Sequence, residues 1–265
     1  MYQLKLFARI VKLRFLAKIE YPLAYLMGVS AQWFAYGAEI ILAVIMVSTF
    51  GTLNDWLPME IVMLYGLWLV TYAIGAAFVF NTVNQMPQMA ISGMMDEALV
   101  KPIPPLFFLL ATNFNVGYIS HLLLGGGVIA WSYLRLGLHW HTGQWLWLFV
   151  LILSGAAIMG ATMFIFALPA LKLRARSPLS TVYFEGRGFS KYPLSIYPKV
   201  LQFFLTCLLP FGFVAYYPMM ALLGKSDPWT GRALVFVAPA VAIALVWLAG
   251  YCWRRTISKY ESAGT

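Results

Sequence analysis

The sequence predicts an all-α polytopic membrane protein with six transmembrane helices, an N-terminal interfacial helix and a broken fifth span. Three observations predict it. Six charge-poor runs approach or exceed the roughly 20 residues that a helix needs to cross the hydrocarbon. The composition, 62% hydrophobic and 10% charged, departs far from the roughly half apolar and quarter charged balance of soluble domains. The 18 Lys and Arg residues fall in the gaps between the runs and are dense in alternate gaps, which is the positive-inside pattern.

The first element is residues 1–22. Lys5, Arg9 and Lys12 lie on one side of a helix whose other side has Leu4, Phe7, Ile10 and Val11, as in a helix lying at the membrane surface. Arg14 and Lys18 point elsewhere, so these cations serve either an interfacial helix or topology alone, and Pro22 marks the bend into the first span. The apolar stretch that follows is too long for a cleavable leader and lacks a small-residue cleavage site, so the first span is expected to stay in the mature protein. The spans are placed at 23–50, 61–84, 106–134, 144–171, 200–223 and 233–253, within a single permease-like domain over 1–265. Gly125 to Gly127 in the third span, and Ala156 with Gly160 in the fourth, suit close helix packing. Pro210 and Pro218 divide the fifth into pieces too short to cross alone, with Gly212 beside the first break. In lipid such a break is either a simple kink or a feature of a transport path.

An even number of spans puts both termini on one side. Fifteen Lys and Arg fall in the termini and in the 85–105 and 172–199 gaps, against Arg135, Lys225 and Arg232 on the opposite face. The termini and those two gaps are therefore expected in the cytoplasm. The outer gaps, 51–60, 135–143 and 224–232, are too short for a folded domain.

The same residues argue against other classes. The net charge of +9 sits beside membrane-length runs, where headgroups and topology account for it without nucleic acid. Cys207 and Cys252 lie in apolar segments without ligand spacing. His139 and His141 flank Trp140 on a short outer gap and suit a membrane interface better than a metal site. Gly224-Lys225-Ser226 imitates the end of a phosphate loop, but the glycine such a loop needs is Met219. The nine carboxylates and three histidines form no catalytic cluster, so neither an enzyme nor a bound metal or cofactor is expected.

Two places invite function. Glu39, about sixteen residues into the first span, carries a charge at a depth where it costs roughly 2.5–3.5 kcal/mol, so it must face protein or water. His121 lies at similar depth in the third span and is its candidate partner, with Gln32, Asn113 and Asn115 nearby. The pair is either a substrate contact or proton relay, or a packed polar bridge. The second place is the inner gap, where Gly93, Asp96, Leu99, Pro102 and Pro105 recur at three-residue steps. It reads as a short polar turn that cannot continue as helix past Lys101 and re-enters through a stiff proline elbow.

Gly93, Asp96, Leu99 and Lys101-Pro102-Ile103-Pro104-Pro105, together with Tyr192-Pro193-Leu194-Ser195-Ile196-Tyr197-Pro198, Pro210-Phe211 and Tyr217-Pro218, resemble the membrane subunits of type-2 ATP-binding-cassette exporters. The basic tail Arg254-Arg255 ending in Tyr260-Glu261-Ser262-Ala263-Gly264 extends the likeness over nearly the whole chain. In particular the chain is similar to the small six-span permeases often found in pairs with one ATPase. That resemblance implies a bacterial inner-membrane permease with cytoplasmic termini, working as a homodimer or a heterodimer among membrane lipids. A separate cytosolic ATPase would bind the ATP and Mg. It further implies that Gly93, Met94, Asp96, Glu97, Lys101 and Pro102 form the element seated on the ATPase. The region of Pro210, Gly212, Tyr217 and Pro218 would form an outer gate, while Glu39 and His121, by their depth, are the residues' own candidates for the translocation path. The residues themselves leave open a proton-coupled secondary transporter using Glu39 and His121, and, with less support, a membrane-embedded lipid enzyme.

Overall fold

The computed structural model describes residues 2–50, 52–227, 230, 233–234 and 236–262. Arg232, Ala263 and Gly264 lie outside the described residues, as do the side chains of Leu4 and Lys18. Among the described residues there is no β-strand, only an isolated bridge between Leu53 and Trp56 in the tight turn before the central helix.

Helix α1 (Tyr2–Ile19) turns at Glu20 and Tyr21 into α2 (Pro22–Phe50). The Phe7 ring packs against Phe78, Phe107 and Phe114 with centroids 5.9, 6.3 and 5.7 Å away, while Lys5, Arg9 and Lys12 are exposed. The two-sided pattern of the first three turns thus becomes an apolar face on the bundle and a basic face away from it.

Helix α3 (Pro58–Ile91) is the axis of the fold. A helix apolar all round is stable only when neighbours surround it, and from Glu60 to Ala90 most of its side chains are buried. At about 1.5 Å per residue it is far longer than the ~30 Å hydrocarbon layer, so Pro87 falls in its last turns, beyond the apolar run. Next come α4 (Met94–Val100), α5 (Pro105–Thr112), α6 (Ile119–Arg135), α7 (Thr142–Ala167) and α8 (Pro169–Leu173).

Small residues set the approach of α6 and α7 to α3. A Cβ on Gly125 would stand 2.8 Å from Val70 Cγ2, and one on Gly75 would stand 2.6 Å from the Ala156 carbonyl and 3.0 Å from the Gly160 nitrogen. Gly126 and Gly127 meet nothing within 4 Å, so only Gly125 of that triplet is a packing residue.

Among the described residues, two helices are long and apolar enough to cross a membrane, Pro58–Ile91 and Thr142–Leu173, and there are up to four such spans if each of two bent pairs counts as one. The pairs are Pro105–Thr112 with Val116–Arg135, bent by 57°, and Lys199–Leu208 with Phe211–Leu223, bent by 79°. Helix α2 covers the predicted 23–50, and α12 (Ala238–Ile257) replaces the predicted 233–253 with a helix that starts later and ends in Arg254 and Arg255.

The principal correction concerns 172–223. After α8 the chain forms α9 (Pro178–Gly186) and 3-10 turns at Arg187–Lys191 and Leu194–Ile196. This segment climbs antiparallel to α3. The Ser180 hydroxyl meets the Phe166 carbonyl, Phe184 packs on Phe80, Trp68 Nε1 donates to Ser190 Oγ at 2.9 Å, and Asn54 Nδ2 donates to the Ser195 carbonyl at 2.6 Å. Residues 172–199 are therefore not a loop at one end: the segment runs from the Ile91 end of α3 to its Pro58 end. Residues 200–223, expected as a broken crossing, form a hairpin through α10 (Lys199–Phe203) and α11 (Tyr216–Leu223), whose two limbs begin and finish near the 54–60 turn. Its apex reaches inward to Gly186 and Tyr183.

The chain reverses at Leu209-Pro210, whereas Pro218 lies in the first turn of α11, where a missing N–H costs nothing.

Candidate functional site

The two places singled out in the sequence lie at different ends and depths of the bundle. At the Ile91 end, Gly93 takes φ 71°, the left-handed conformation that lets α3 turn abruptly into α4. Met95 and Ala98 of α4 are fully buried, while Met94, Glu97 and Val100 are exposed at three-residue spacing. The expected polar turn is thus a seven-residue helix with one face anchored and one face bare. It ends at Val100, because Lys101 is extended and Pro102, Pro104 and Pro105 follow.

Lys101 Nζ bonds Glu97 at 2.8 Å and stands 4.8 Å over the Phe108 ring, fastening the elbow from both sides. Asp96 accepts from the Ser262 hydroxyl at 2.8 Å, so the C-terminal tail rests on α4. Burial, with the Asp96 carboxylate nearby, raises the Tyr260 pKa. Among the described residues, eleven of the 18 Lys and Arg belong to the segments at this end. Arg187, Lys191 and Lys199, expected here as part of the 172–199 loop, do not.

On α2, the part-exposed Glu39 carboxylate does not partner His121. It accepts from Lys191 Nζ at 2.6 Å and from the Tyr65 hydroxyl at 2.7 Å. The ion pair gives each charge an opposite neighbour in a low-dielectric setting. Lys191 reaches it because the Arg187–Lys191 turn is pinned to α3: Ser190 Oγ accepts from Trp68 Nε1, and Lys191 Nζ lies 4.9 Å over the Trp68 ring.

His121 faces a separate polar cavity of about 470 Å³ with Gln32, Tyr36, Tyr72, Asn115, Arg176 and Arg187. Gln32 accepts from Ser120 Oγ at 2.9 Å, and His121 Nδ1 is 3.3 Å from the same hydroxyl. Asn113 is not among the cavity's lining residues, and its backbone carbonyl accepts from Asn81 Nδ2. The residues that sequence reasoning missed here are Arg176, Arg187 and Lys191, which were counted as loop charges. The available signal was their interleaving with Tyr183, Phe184 and Phe189, an aromatic spacing that a solvated loop does not need.

The hairpin residues are packed together. Phe211, Gly212, Phe213 and Tyr217 are buried, and a Cβ on Gly212 would meet Leu194 Cδ1 at 2.7 Å and Tyr217 Cε2 at 2.9 Å. The Tyr217 hydroxyl lies 3.2 Å from Thr206 Oγ1, closing one limb on the other. Lys225, in the phosphate-loop lookalike, instead clasps the hairpin to the turn before α3, bonding Glu60 and the Asp55 carbonyl, each at 2.6 Å. No group of three or more His, Cys, Asp or Glu side chains suited to a metal occurs among the described residues.

A sequence model of the ABC-2 family transporter proteins matches residues 33–264, a stretch that includes the proline elbow, the climbing segment and the hairpin. The chain belongs to the ABC-2 transporter family. Comparison with curated proteins and with solved structures returned no match. For an ABC-2 permease, an all-helical bundle with membrane-length apolar helices is the expected architecture, and pairing with an ABC ATPase is a general property of the family.

Proposed function

We propose that this chain is the membrane-spanning permease subunit of an ATP-driven exporter in a bacterial inner membrane. It crosses the bilayer six times, through α2, α3, α5 with α6, α7 with α8, the 178–196 segment and α12, with the hairpin re-entering from the outer face. Both termini are cytoplasmic. Two permeases, identical or related, enclose the path, and a separate cytosolic ATPase binds ATP and Mg. The chain has no catalytic activity of its own.

The observation that carries this reading is α4. A short helix anchored through Met95 and Ala98, leaving Met94, Glu97 and Val100 bare, projects from the end of the bundle richest in Lys and Arg. That end is the cytoplasmic one by the positive-inside rule. An exposed apolar and acidic face on an anchored helix suits a protein partner that pushes on it. The Glu39–Lys191 pair, with His121 elsewhere, supports this reading over a carrier working through a Glu39–His121 relay.

Affinity purification from native membranes tests the reading. The expected result is co-purification of an ABC ATPase whose ATP hydrolysis depends on this chain and falls at least severalfold in Glu97→Arg. Recovery without any ATPase, while reconstituted vesicles still move cargo on a proton gradient, would reject it.

A further inference from the structure

We propose that the cavity beneath Arg187 is a binding site for a phosphate-bearing headgroup, held by Arg187 and Arg176. The proposal rests on the reading of this chain as a transport path and names the chemistry of what that path admits.

Arg187 Nε and Nη1 are both buried and have no hydrogen-bond partner. Leaving such donors unmatched is costly, most of all on a cation. The guanidinium plane is nonetheless held firmly, 4.4 Å over the Tyr72 ring and 5.6 Å over Phe184. Arg176 stands 5.6 Å from the same Phe184 centroid, so the two guanidinium carbons are within about 11 Å of each other across one ring. Both arginines line the 470 Å³ cavity, and no Asp or Glu lines it. The nearby carboxylate, Glu39, is already taken by Lys191.

The cavity thus has two cations and no lining anion, with Arg187 stacked on Tyr72 and also hydrogen-bonded to the Tyr36 hydroxyl. A guanidinium in such a setting can match oxygens of an anion. Two cations about one ring favour a group with three or four oxygens over a lone carboxylate. The volume exceeds that of a phosphate alone, leaving room for the polar remainder of a headgroup beside Gln32 and Asn115. The phosphate has two possible sources, an amphiphile entering from the bilayer or a free anion from water.

Calorimetry on the full-length detergent-solubilised chain separates them, using dihexanoyl phosphatidic acid, dihexanoyl phosphatidylcholine and inorganic phosphate as probes. Saturable binding of phosphatidic acid without binding of inorganic phosphate supports the site and assigns it to an amphiphile. Saturable binding of both supports it and assigns it to the free group. In either case Arg187→Gln weakens binding at least tenfold, Arg187→Lys weakens it less, and Arg255→Gln, outside the cavity, leaves it unchanged. Monodisperse elution of each variant identifies a correctly folded comparison. No saturable binding of any probe, or equal loss in Arg255→Gln, overturns the proposal. A missing ATPase partner would reject the exporter reading while leaving this binding result intact.

Discussion

Lys191 Nζ lies 2.6 Å from Glu39 Oε2, tying the climbing 178–196 segment to α2 through an ion pair. The Glu39 side chain is 43% exposed and that of Lys191 17%, so the pair is neither a surface contact nor a fully enclosed one. Exposed pairs contribute about 0–1 kcal/mol, whereas removing one partner of an enclosed pair costs about 3–5 kcal/mol. Glu39→Gln is therefore expected to destabilise by about 1–3 kcal/mol, since it leaves Lys191 beside a neutral amide. Adding Lys191→Met should recover part of that loss. A double-mutant cycle by thermal unfolding in detergent measures the coupling, and the cycle of Glu39→Gln with His121→Ala should show none.

The contact between α3 and α7 gives a second prediction. Gly75→Val places methyl groups where a single Cβ already meets Ala156 and Gly160 backbone at 2.6 and 3.0 Å, so the helices must separate. Overpacking of this kind costs about 1–3 kcal/mol or more. Gly126→Ala meets nothing within 4 Å and replaces glycine by a better helix former, so it should be neutral or slightly stabilising. Melting temperatures of the two variants in one detergent decide the point.

The sequence shows why some of this architecture was legible and some was not. Helices α2, α3 and α7 follow from length and hydropathy alone, since a long apolar helix has few places to go. The elbow at 93–105 was legible because Gly93 and the prolines punctuate it in the backbone's own terms. The 178–196 segment escaped because Glu185, Arg187 and Lys191 lower its hydropathy, while its 3-10 turns give it no regular period. Its charges are tolerated only because Trp68, Tyr72 and Glu39 receive them, and those partners lie more than 100 residues away in sequence. The hairpin was misread for a related reason. Apolar length predicts that 200–223 enters lipid, but the course of the segment follows from Asn54–Ser195 and Lys225–Glu60, contacts between distant segments.

Helix α4 has one anchored face and one bare face. Met95 is fully buried and Val100 is 81% exposed, five residues apart on a seven-residue helix. Met95→Ala is expected to cost about 2–5 kcal/mol by leaving a cavity, with ATPase coupling failing only because the elbow loosens. Val100→Asp should change stability by no more than about 0.5 kcal/mol yet reduce ATP hydrolysis in the assembled complex. Unfolding and ATPase measurements on the same preparations should move in opposite order for the two variants.

The last prediction addresses the course of the chain itself. Counting cations in sequence puts Lys199 on the side of Asp96, whereas the Asn54–Ser195 hydrogen bond puts the chain four residues before Lys199 beside the 54–60 turn. Asn54, Glu97 and Lys199 are all exposed, so cysteines at these sites should be reachable by reagents. In a background lacking Cys207 and Cys252, an impermeant maleimide applied to intact cells should label Asn54→Cys and Lys199→Cys alike. Glu97→Cys should react only after the membrane is opened. Eleven cations at the Glu97 end against Arg135, Lys199 and Lys225 at the other, among the described residues, preserve the asymmetry on which the proposed orientation rests. Labelling of Lys199→Cys together with Glu97→Cys would restore 200–223 as a crossing and would break the antiparallel path along α3 on which the cavity depends.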